Sequence, residues 1–479
     1  MLLWFVIAYL VISIGIGLAA ATRVHNARDY ITAGRHLPLY VVFATVFATW
    51  FGAETVLGIS ATFVREGMGG LVSDPFGASL CLILFGLFFA RPLYRMNLLT
   101  IGDYYRQRYN RPVELATSIC IALSYLGWVS AQVTALGLVF NVLSEGAVSP
   151  AWGMVIGATV VLVYTLFGGM WSVAITTFVQ MIVIVLGLLY IAWLVADMAG
   201  GATTVISHAA ANNKFEFLPK LTVADMVAFS AALITMGFGS IPQQDVFQRM
   251  NSSKNEHTAV WGSVLGGSAY FLFAFVPLFL VYAATLIDPK MVSGLIANDS
   301  QRILPALILN HLPLAAQIIF FGALLSVIMS TASGTLLAPS VTISENVLKG
   351  LFKRMDDRQF LWLNRVVVVC FTVLVTLYAI FTSESIHGMV ENAYKVTLVA
   401  AFVPLAAGLY WKRATTQGAA CAIVGGLVSW IALEFAALEG LWPPQFVGFL
   451  VSVAGMFMGS LLPQRYGVAP HPHHHAQTS

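Results

Sequence analysis

Polar and flexible residues interrupt two long apolar stretches of this chain, at residues 47–54 (FATWFGAE) and 236–245 (MGFGSIPQQD). Irregular backbone inside a bilayer is tolerated only where it lines a buried or watery cavity, because its free N–H and C=O groups need partners. Two breaks at corresponding places in the two halves of a chain are typical of the binding site of a secondary transporter. The expected chemistry is reversible binding, with no covalent step.

Ionisable residues within apolar stretches are the next candidates. Glu54 lies in the first break, where an acid is costly enough that either substrate contact or a structural hydrogen bond is expected. Glu391 and Lys395 are four residues apart with the acid first, which predicts a structural ion pair, with a gating role as the alternative. We also expect the inner end of the second broken helix to be capped by Asp245, Gln248 and Arg249. Asp103 is expected to form a salt bridge in a loop.

The composition identifies an integral membrane protein. Of its 479 residues, 59% are hydrophobic and 9% charged, whereas soluble domains carry about 25% charged residues. All four cysteines lie in apolar stretches, where they act as small hydrophobes, so neither disulfides nor a cysteine metal site is expected. Residues 2–22 are predicted to be a retained membrane helix.

Hydrophobic runs predict thirteen membrane-spanning segments. Their approximate limits are residues 2–22, 39–64, 71–95, 112–143, 150–168, 171–198, 224–248, 258–287, 303–348, 360–382, 386–411, 415–437 and 443–462. The ninth is too long for one crossing, and residues 311–313 (HLP) are expected to divide it. Lys and Arg number 18 on one side and five on the other, which predicts an inner-membrane protein with its N-terminus outside and its C-terminus in the cytoplasm.

The ten spans after the first form two groups of five, and each group begins with a broken helix. This layout predicts a five-plus-five inverted repeat, so that the two halves have opposite orientations in the membrane. The predicted parts are an extra N-terminal helix (1–22), a first five-helix repeat (39–198), a second repeat (224–411), two C-terminal helices (415–462) and a disordered cytoplasmic tail (463–479). The histidines of the tail are assigned no function.

Five ordered motifs resemble those of the sodium/solute symporter family, and the resemblance covers nearly the whole chain. They are residues 34–35 (GR), 52–58 (GAETVLG), 164–173 (YTLFGGMWSV), 241–249 (IPQQDVFQR) and 329–333 (MSTAS). The resemblance implies an all-α leucine-transporter-type fold with discontinuous helices. It also implies import driven by Na⁺, the coupling ion.

Transferred by motif, the family's sodium ligands are the carbonyls of Ala48, Phe51 and Val327 and the hydroxyls of Ser330 and Thr331. Na⁺ is a hard cation that takes oxygen ligands, and an unwound helix has free carbonyls to offer. The alternative is that Ser330 and Thr331 only bond carbonyls one turn back in their own helix.

Departures from the family's pattern argue against a second sodium site. Many members carry an Asp where this chain has Thr177, and Gly334 follows Ser333 where a further hydroxyl would be expected. One Na⁺ per cycle is therefore predicted.

Substrate contacts are expected near the membrane midplane, at Trp50, Glu54, Trp128, Gln132, Phe238 and Gln243. Trp50 and Trp128 resemble positions of the choline-transporting branch, where aromatic rings enclose a quaternary ammonium. Two other ring positions of that cage are occupied by Ala78 and Gln243. A packing or interface role is the alternative for each tryptophan.

The sequence thus predicts a sodium-coupled symporter that imports a small polar organic solute by alternating access, with an amine or amino-acid-like solute favoured. The alternatives are a membrane sensor that binds solute without net transport, and a proton-coupled carrier. No H-E-x-x-H or G-x-S-x-G motif is present, so the protein is not expected to be an enzyme. Its expected partners are the solute, Na⁺ and the lipid bilayer, with no nucleic acid; the oligomeric state is open, with a monomer as one option.

Overall fold

The computed structural model describes residues 2–352, 355–436 and 442–464, and these residues form helices and short turns with no β-strand among them. The predicted tail beyond Gln464 lies outside the described residues, as do Lys353 and Arg354 from the charge count.

Twenty-one α-helices are present in the described ranges. They are α1 (Leu2–Ala21), α2 (Ala27–Thr32), α3 (Leu39–Trp50), α4 (Ile59–Glu66), α5 (Ala78–Leu84), α6 (Arg91–Arg95), α7 (Ile101–Arg108), α8 (Arg111–Leu143), α9 (Pro150–Met198), α10 (Ala202–Ala211), α11 (Val223–Gly237), α12 (Gln244–Asn251), α13 (Glu256–Ile287), α14 (Pro289–Ile296), α15 (Ile303–His311), α16 (Leu314–Thr342), α17 (Asp357–Phe381), α18 (Ile386–Thr397), α19 (Val403–Tyr410), α20 (Thr416–Ala436) and α21 (Pro444–Leu461). Wider π-helical turns occur at Glu54–Gly58, Val72–Gly77, Phe85–Ala90, Ile343–Leu348 and Leu398–Phe402, and 3₁₀ turns at Ala33–Arg35, Gly67–Leu71, Ser300–Arg302 and Lys349–Leu351.

Ten continuous helical stretches of the described chain are long and apolar enough to cross a bilayer. The two longest, Glu54–Arg95 with 42 residues and Pro150–Met198 with 49, have at least twice the ~20 residues that one crossing needs. Each bends at a residue with non-helical backbone, Asp74 in the first and Gly169 in the second. Dividing these two stretches at their bends gives twelve crossings in place of ten. With α11 and α12 counted together as one interrupted crossing, the total agrees with the thirteen predicted spans.

Both predicted breaks are present. α3 ends at Trp50 and the helix resumes at Glu54, while α11 ends at Gly237 and α12 begins at Gln244. The predicted division of the ninth span is also confirmed, because Leu312 has extended backbone between α15 and α16. A residue before proline is biased away from helical backbone, and Pro313 supplies that bias.

Helix α16 forms the centre of the core. Every residue from 323 to 342 is buried, and the helix packs against α3, α8, α9 and α12. α20 and α21 pack mainly on each other at the periphery. The large apolar side chains that remain exposed, such as Trp4, Trp193 and Phe435, are those expected on a lipid-facing surface. The fold therefore places the middle of α16 against the break in α3.

Candidate functional site

The break after α3 leaves two backbone carbonyls without helical partners. In a regular helix the Gly52 N–H would donate to the Ala48 carbonyl, but it donates to the Trp50 carbonyl instead, at 2.8 Å. In the same way, the Thr55 N–H donates to the Gly52 carbonyl at 3.2 Å and not to that of Phe51. The carbonyl oxygens of Ala48 and Phe51 are thereby free to bind another group.

Thr331, from the middle of α16, meets both free carbonyls. Its hydroxyl lies 3.1 Å from the Ala48 oxygen and 3.2 Å from the Phe51 oxygen. The neighbouring Ser330 hydroxyl donates to the Val327 carbonyl at 2.9 Å. Thus Ser330 makes the bond within its own helix that the structural alternative requires, whereas Thr331 reaches across to α3. Thr331, Ala48 and Phe51 thus meet at one buried contact, whereas Ser330 and Val327 bond each other within α16; all five residues are buried and offer only neutral oxygen atoms.

The region predicted to lack a second sodium lies one turn further along α16. Thr177, in α9, is also buried, and its hydroxyl has no hydrogen-bond partner. The guanidinium of Arg249 packs so closely against Gly334 that a side chain at that position would collide with it. The Arg249 guanidinium therefore occupies the space beside Gly334.

Arg249 and its neighbours correct the expected helix cap. Arg249 is fully buried, donates from Nε to the Thr45 carbonyl at 2.9 Å, and pairs through Nη1 with Asp245 at 3.4 Å. The Gln248 amide donates to the carbonyl of Ile31. Arg249 thus holds α12 against α3, and Gln248 holds it against α2. Because these side chains do not cap an exposed helix end, that prediction was wrong.

Two charged-pair predictions are also corrected. Asp103 forms no ion pair among the described residues: it caps α7 by accepting the Leu99 and Thr100 N–H groups, each at 3.0 Å. The predicted pair in α18 is not formed either. Its acid and base have separate partners, His387 with Glu391 and Lys395 with Glu434, each at 3.8 Å.

Four aromatic rings meet beside the sodium ligands. Trp50 and Trp128 stack with their centroids 4.7 Å apart. Tyr394 lies edge-on to both, at 5.2 and 5.6 Å, and Tyr125 stacks on Trp128 at 5.8 Å. The two indoles pack on each other and do not surround an open space. Sequence reasoning missed both tyrosines, although Tyr125 precedes Trp128 by three residues on one helix face, a spacing that could have revealed it.

Glu54 lies beside these rings in a polar network. Its carboxylate accepts a hydrogen bond from Gln132 Nε2 at 2.6 Å, and Gln132 Oε1 accepts the Ala53 N–H at 3.0 Å. The Trp128 indole N–H lies near this carboxylate without completing a hydrogen bond. Glu54 Oε1, the Trp50 indole N–H and the Tyr394 hydroxyl are buried and have no partner. Since buried polar atoms are normally paired, these atoms are suited to a polar ligand.

The two remaining predicted substrate residues differ in placement. Gln243 lies at the start of α12, where its amide nitrogen donates to the hydroxyl of Ser124 at 3.0 Å, next to Tyr125. Phe238 does not join the four rings: it stacks on Phe402 with centroids 4.9 Å apart. The structure therefore brings together Trp50, Glu54, Trp128 and Gln132, places Gln243 beside them, and directs Phe238 elsewhere.

Related sequences identify the family of this chain. A family model of the sodium:solute symporter family matches residues 30–426. The human high affinity choline transporter 1 is 27% identical over 452 residues, covering 88% of this chain and 74% of the relative. The high-affinity proline transporter PutP of Bacillus subtilis (strain 168) is 26% identical over 480 residues, covering 94% and 95%.

Solved structures show the same fold. A Na⁺-coupled sialic acid symporter in a substrate-bound outward-open state superposes with a TM-score of 0.81 at 20% identity, covering 98% of this chain and 99% of the other. Mhp1, a nucleobase-cation-symport-1 family transporter, gives a TM-score of 0.60 at 13% identity, covering 90% and 93%. These likenesses confirm the predicted leucine-transporter-type fold.

Proposed function

The chain belongs to the sodium:solute symporter family, and we propose that within this family it imports a small amine or amino-acid-like solute with one Na⁺ per cycle. It is a multi-pass membrane protein and a sodium-coupled symporter of a small solute. We further propose the residues of the ion site, the number of sodium ions, the solute class and the orientation in the membrane.

The sodium site is assigned to Ala48, Phe51, Val327, Ser330 and Thr331. The observation that carries it is the contact of the Thr331 hydroxyl with two carbonyls that the break has freed. A sodium ion between these oxygens would tie α3 to α16 and so favour one conformation, and its loss would release both helices. A ligand shifts a conformational equilibrium only through such a difference in contacts.

A single sodium ion is supported by Thr177 and Arg249. Relatives that use a second ion would have an acid where this chain has Thr177 and a hydroxyl where it has Gly334, and the Arg249 guanidinium fills the space against Gly334. With one ion and a neutral or zwitterionic solute, one charge crosses per cycle. The membrane potential would then add about 2.3 kcal/mol of driving force per 100 mV.

The solute class is inferred from the polar atoms that have no partner. Glu54 Oε1 offers an acceptor for an ammonium group, while the Trp50 N–H and the Tyr394 hydroxyl can donate to an oxygen of the solute. The surrounding rings would add cation–π attraction to the ammonium. A small molecule with one cationic nitrogen and one oxygen acceptor satisfies this set. Two relatives named for choline and proline transport carry nitrogen-containing solutes of this kind.

The proposed orientation places the N-terminus outside and the C-terminus in the cytoplasm of the cell membrane. It is supported by the excess of Lys and Arg on one set of loops. Residues 39–198 and 224–411 are proposed to be the two inverted repeats, since each begins with one of the broken helices.

Thermal unfolding of purified protein tests the proposed function. A panel of amines and amino acids, including choline and proline, is added in NaCl or in KCl of equal concentration, because binding to the folded state raises apparent stability. We expect at least one solute to stabilise the protein only in NaCl. Stabilisation that is equal in both salts would contradict the sodium site. In that case, accumulation of the solute inside vesicles would indicate a carrier, and binding without accumulation would indicate a sensor.

A further inference from the structure

Asp74 is a buried acid that the proposed sodium and solute sites do not use. It is the residue with non-helical backbone in the π-helical turn at Val72–Gly77, and it is 2% exposed. The Tyr270 hydroxyl, from α13, donates to Asp74 Oδ1. Asp74 Oδ2 is buried and has no hydrogen-bond partner.

Two neighbouring hydroxyl groups lie between Asp74 and the first broken helix. The Tyr270 hydroxyl also lies 3.5 Å from the hydroxyl of Thr55, which donates to the Trp50 carbonyl at 2.8 Å. Thr55 directly follows Glu54, the acid beside the proposed solute site. The two hydroxyls bring Asp74 close to the residue next to Glu54, across the gap between α13 and the first broken helix, and their protons are directed to Asp74 and to the Trp50 carbonyl.

These two acids differ from the other fully buried acids of the described chain. Asp245 pairs with Arg249, and Glu114 pairs with Arg111 at 2.8 Å. No Lys, Arg or His of the described residues lies within ion-pair distance of Asp74 or Glu54. Two like charges buried this close together without a counter-charge repel each other and lose their hydration, so one of them requires neutralisation.

A proton fits Asp74 better than a metal ion does. Na⁺ takes several oxygen ligands, as hard cations do, yet Oδ1 already accepts from Tyr270, and only Oδ2 of this carboxylate is free. One free carboxylate oxygen is sufficient to accept a proton. The protonated Oδ2 would become a hydroxyl donor, while Oδ1 keeps its bond from Tyr270.

A polar cavity of about 270 Å³ leads to this turn. Its wall includes Val72 and Ser73, which directly precede Asp74. In the proposed orientation this cavity lies on the outer side. The cavity wall carries four titratable or charged groups, Arg65, Glu66, His387 and Glu391, while Tyr270 and Glu54 lie on the other side of Asp74.

We propose that Asp74 is a proton-binding site loaded from this cavity, with Tyr270 as its hydrogen-bond donor. A hydronium ion in the cavity would transfer its proton to Asp74 Oδ2, which forms the neutral acid and leaves water behind. The proton would cancel one of the two buried negative charges next to the solute site. The protein would thus bind a proton in addition to Na⁺.

Infrared spectroscopy of the purified full-length protein in NaCl tests this site without any solute. The wild type should show the carbonyl band of a protonated carboxylic acid at mildly acidic pH, and this band should weaken at alkaline pH. Asp74→Asn should lack the band, and Tyr270→Phe should retain it at a changed frequency because the hydrogen bond to Oδ1 is lost. Glu66→Gln, which changes an acid of the cavity wall, should leave it unchanged.

Stabilisation by NaCl separates this result from misfolding and from the sodium proposal. A folded Asp74→Asn protein should still be stabilised by NaCl; where that variant fails to fold, the frequency shift in Tyr270→Phe decides. Absence of the band in the wild type, its persistence in Asp74→Asn or an unchanged frequency in Tyr270→Phe would overturn the proton site. None of these results depends on whether Thr331 binds Na⁺.

Discussion

Replacing Thr331 by alanine removes the side-chain oxygen that contacts both free carbonyls of the first broken helix. In the proposed site this hydroxyl is one of five oxygen ligands to Na⁺. A hydrogen bond to a charged group is worth about 1.5–3 kcal/mol, and if the ion contact is of similar strength its loss corresponds to a roughly 10- to 100-fold weaker apparent Na⁺ affinity. Thr331→Ser keeps the hydroxyl and should remain close to the wild type.

The assay is the shift in unfolding temperature as NaCl replaces KCl at constant ionic strength, since stabilisation rises as the logarithm of ion concentration over its dissociation constant. Thr335→Ala is the matched control. Thr335 is on the same helix and is also buried, but its hydroxyl donates to the Thr331 carbonyl at 2.8 Å and does not reach α3. It should leave the NaCl midpoint within about twofold of the wild type. A Thr331→Ala protein with the wild-type NaCl midpoint would refute the assigned site.

Three other predictions concern the solute, the buried ion pair and pH. Glu54→Gln should weaken binding of an amine solute by roughly tenfold or more while preserving stabilisation by NaCl alone, measured by titrating solute in NaCl; unchanged solute affinity would remove Glu54 from the site. Arg249→Met leaves its buried acid partner uncompensated and should lower the free energy of unfolding by about 3–5 kcal/mol, measured by denaturant unfolding in detergent. Asp288, in the loop after α13, has a pKa lowered first by the Met291 N–H and then by His311. The ionised Asp288 carboxylate therefore stabilises the fold above the ordinary aspartate pKa, and this stabilisation is lost as pH falls through the lowered value. Thermal unfolding against pH should show a smaller loss on acidification for Asp288→Asn than for the wild type, and parallel curves would exclude this contribution.

The helix breaks could be predicted from the sequence because their causes are local. Glycine, proline and polar residues inside apolar stretches mark places where a helix cannot continue, as at residues 52 and 242 and again at Pro313. The proposed sodium ligands follow from the same feature, since a break both frees carbonyls and fixes where they lie along the chain. The opposing hydroxyl of Thr331 required the family's motif, because nothing local in α16 marks which helix it will face.

The errors arose where tertiary packing selects partners. Spacing of four residues favours an ion pair by only about 0.3–0.5 kcal/mol. Glu391 pairs with His387, its other neighbour at that spacing in α18, whereas Lys395 pairs with Glu434 of α20, which only tertiary packing brings near. A break does not specify the direction of its side chains, and Phe238 packs on Phe402 instead of the solute residues. Tyr394 joins the aromatic group from a helix more than 260 residues further along the chain than Trp128, a contact that no local pattern contains.

Uptake into proteoliposomes tests the central claim most directly. Vesicles that contain KCl are diluted into NaCl or KCl together with a labelled amine or amino acid chosen from the stabilising members of the panel. We predict accumulation above the external concentration with an inward Na⁺ gradient, none without it, and an increase when the interior is made negative, as expected when one charge accompanies each neutral or zwitterionic solute. Equal uptake in both salts, or binding without accumulation, would contradict sodium-coupled import.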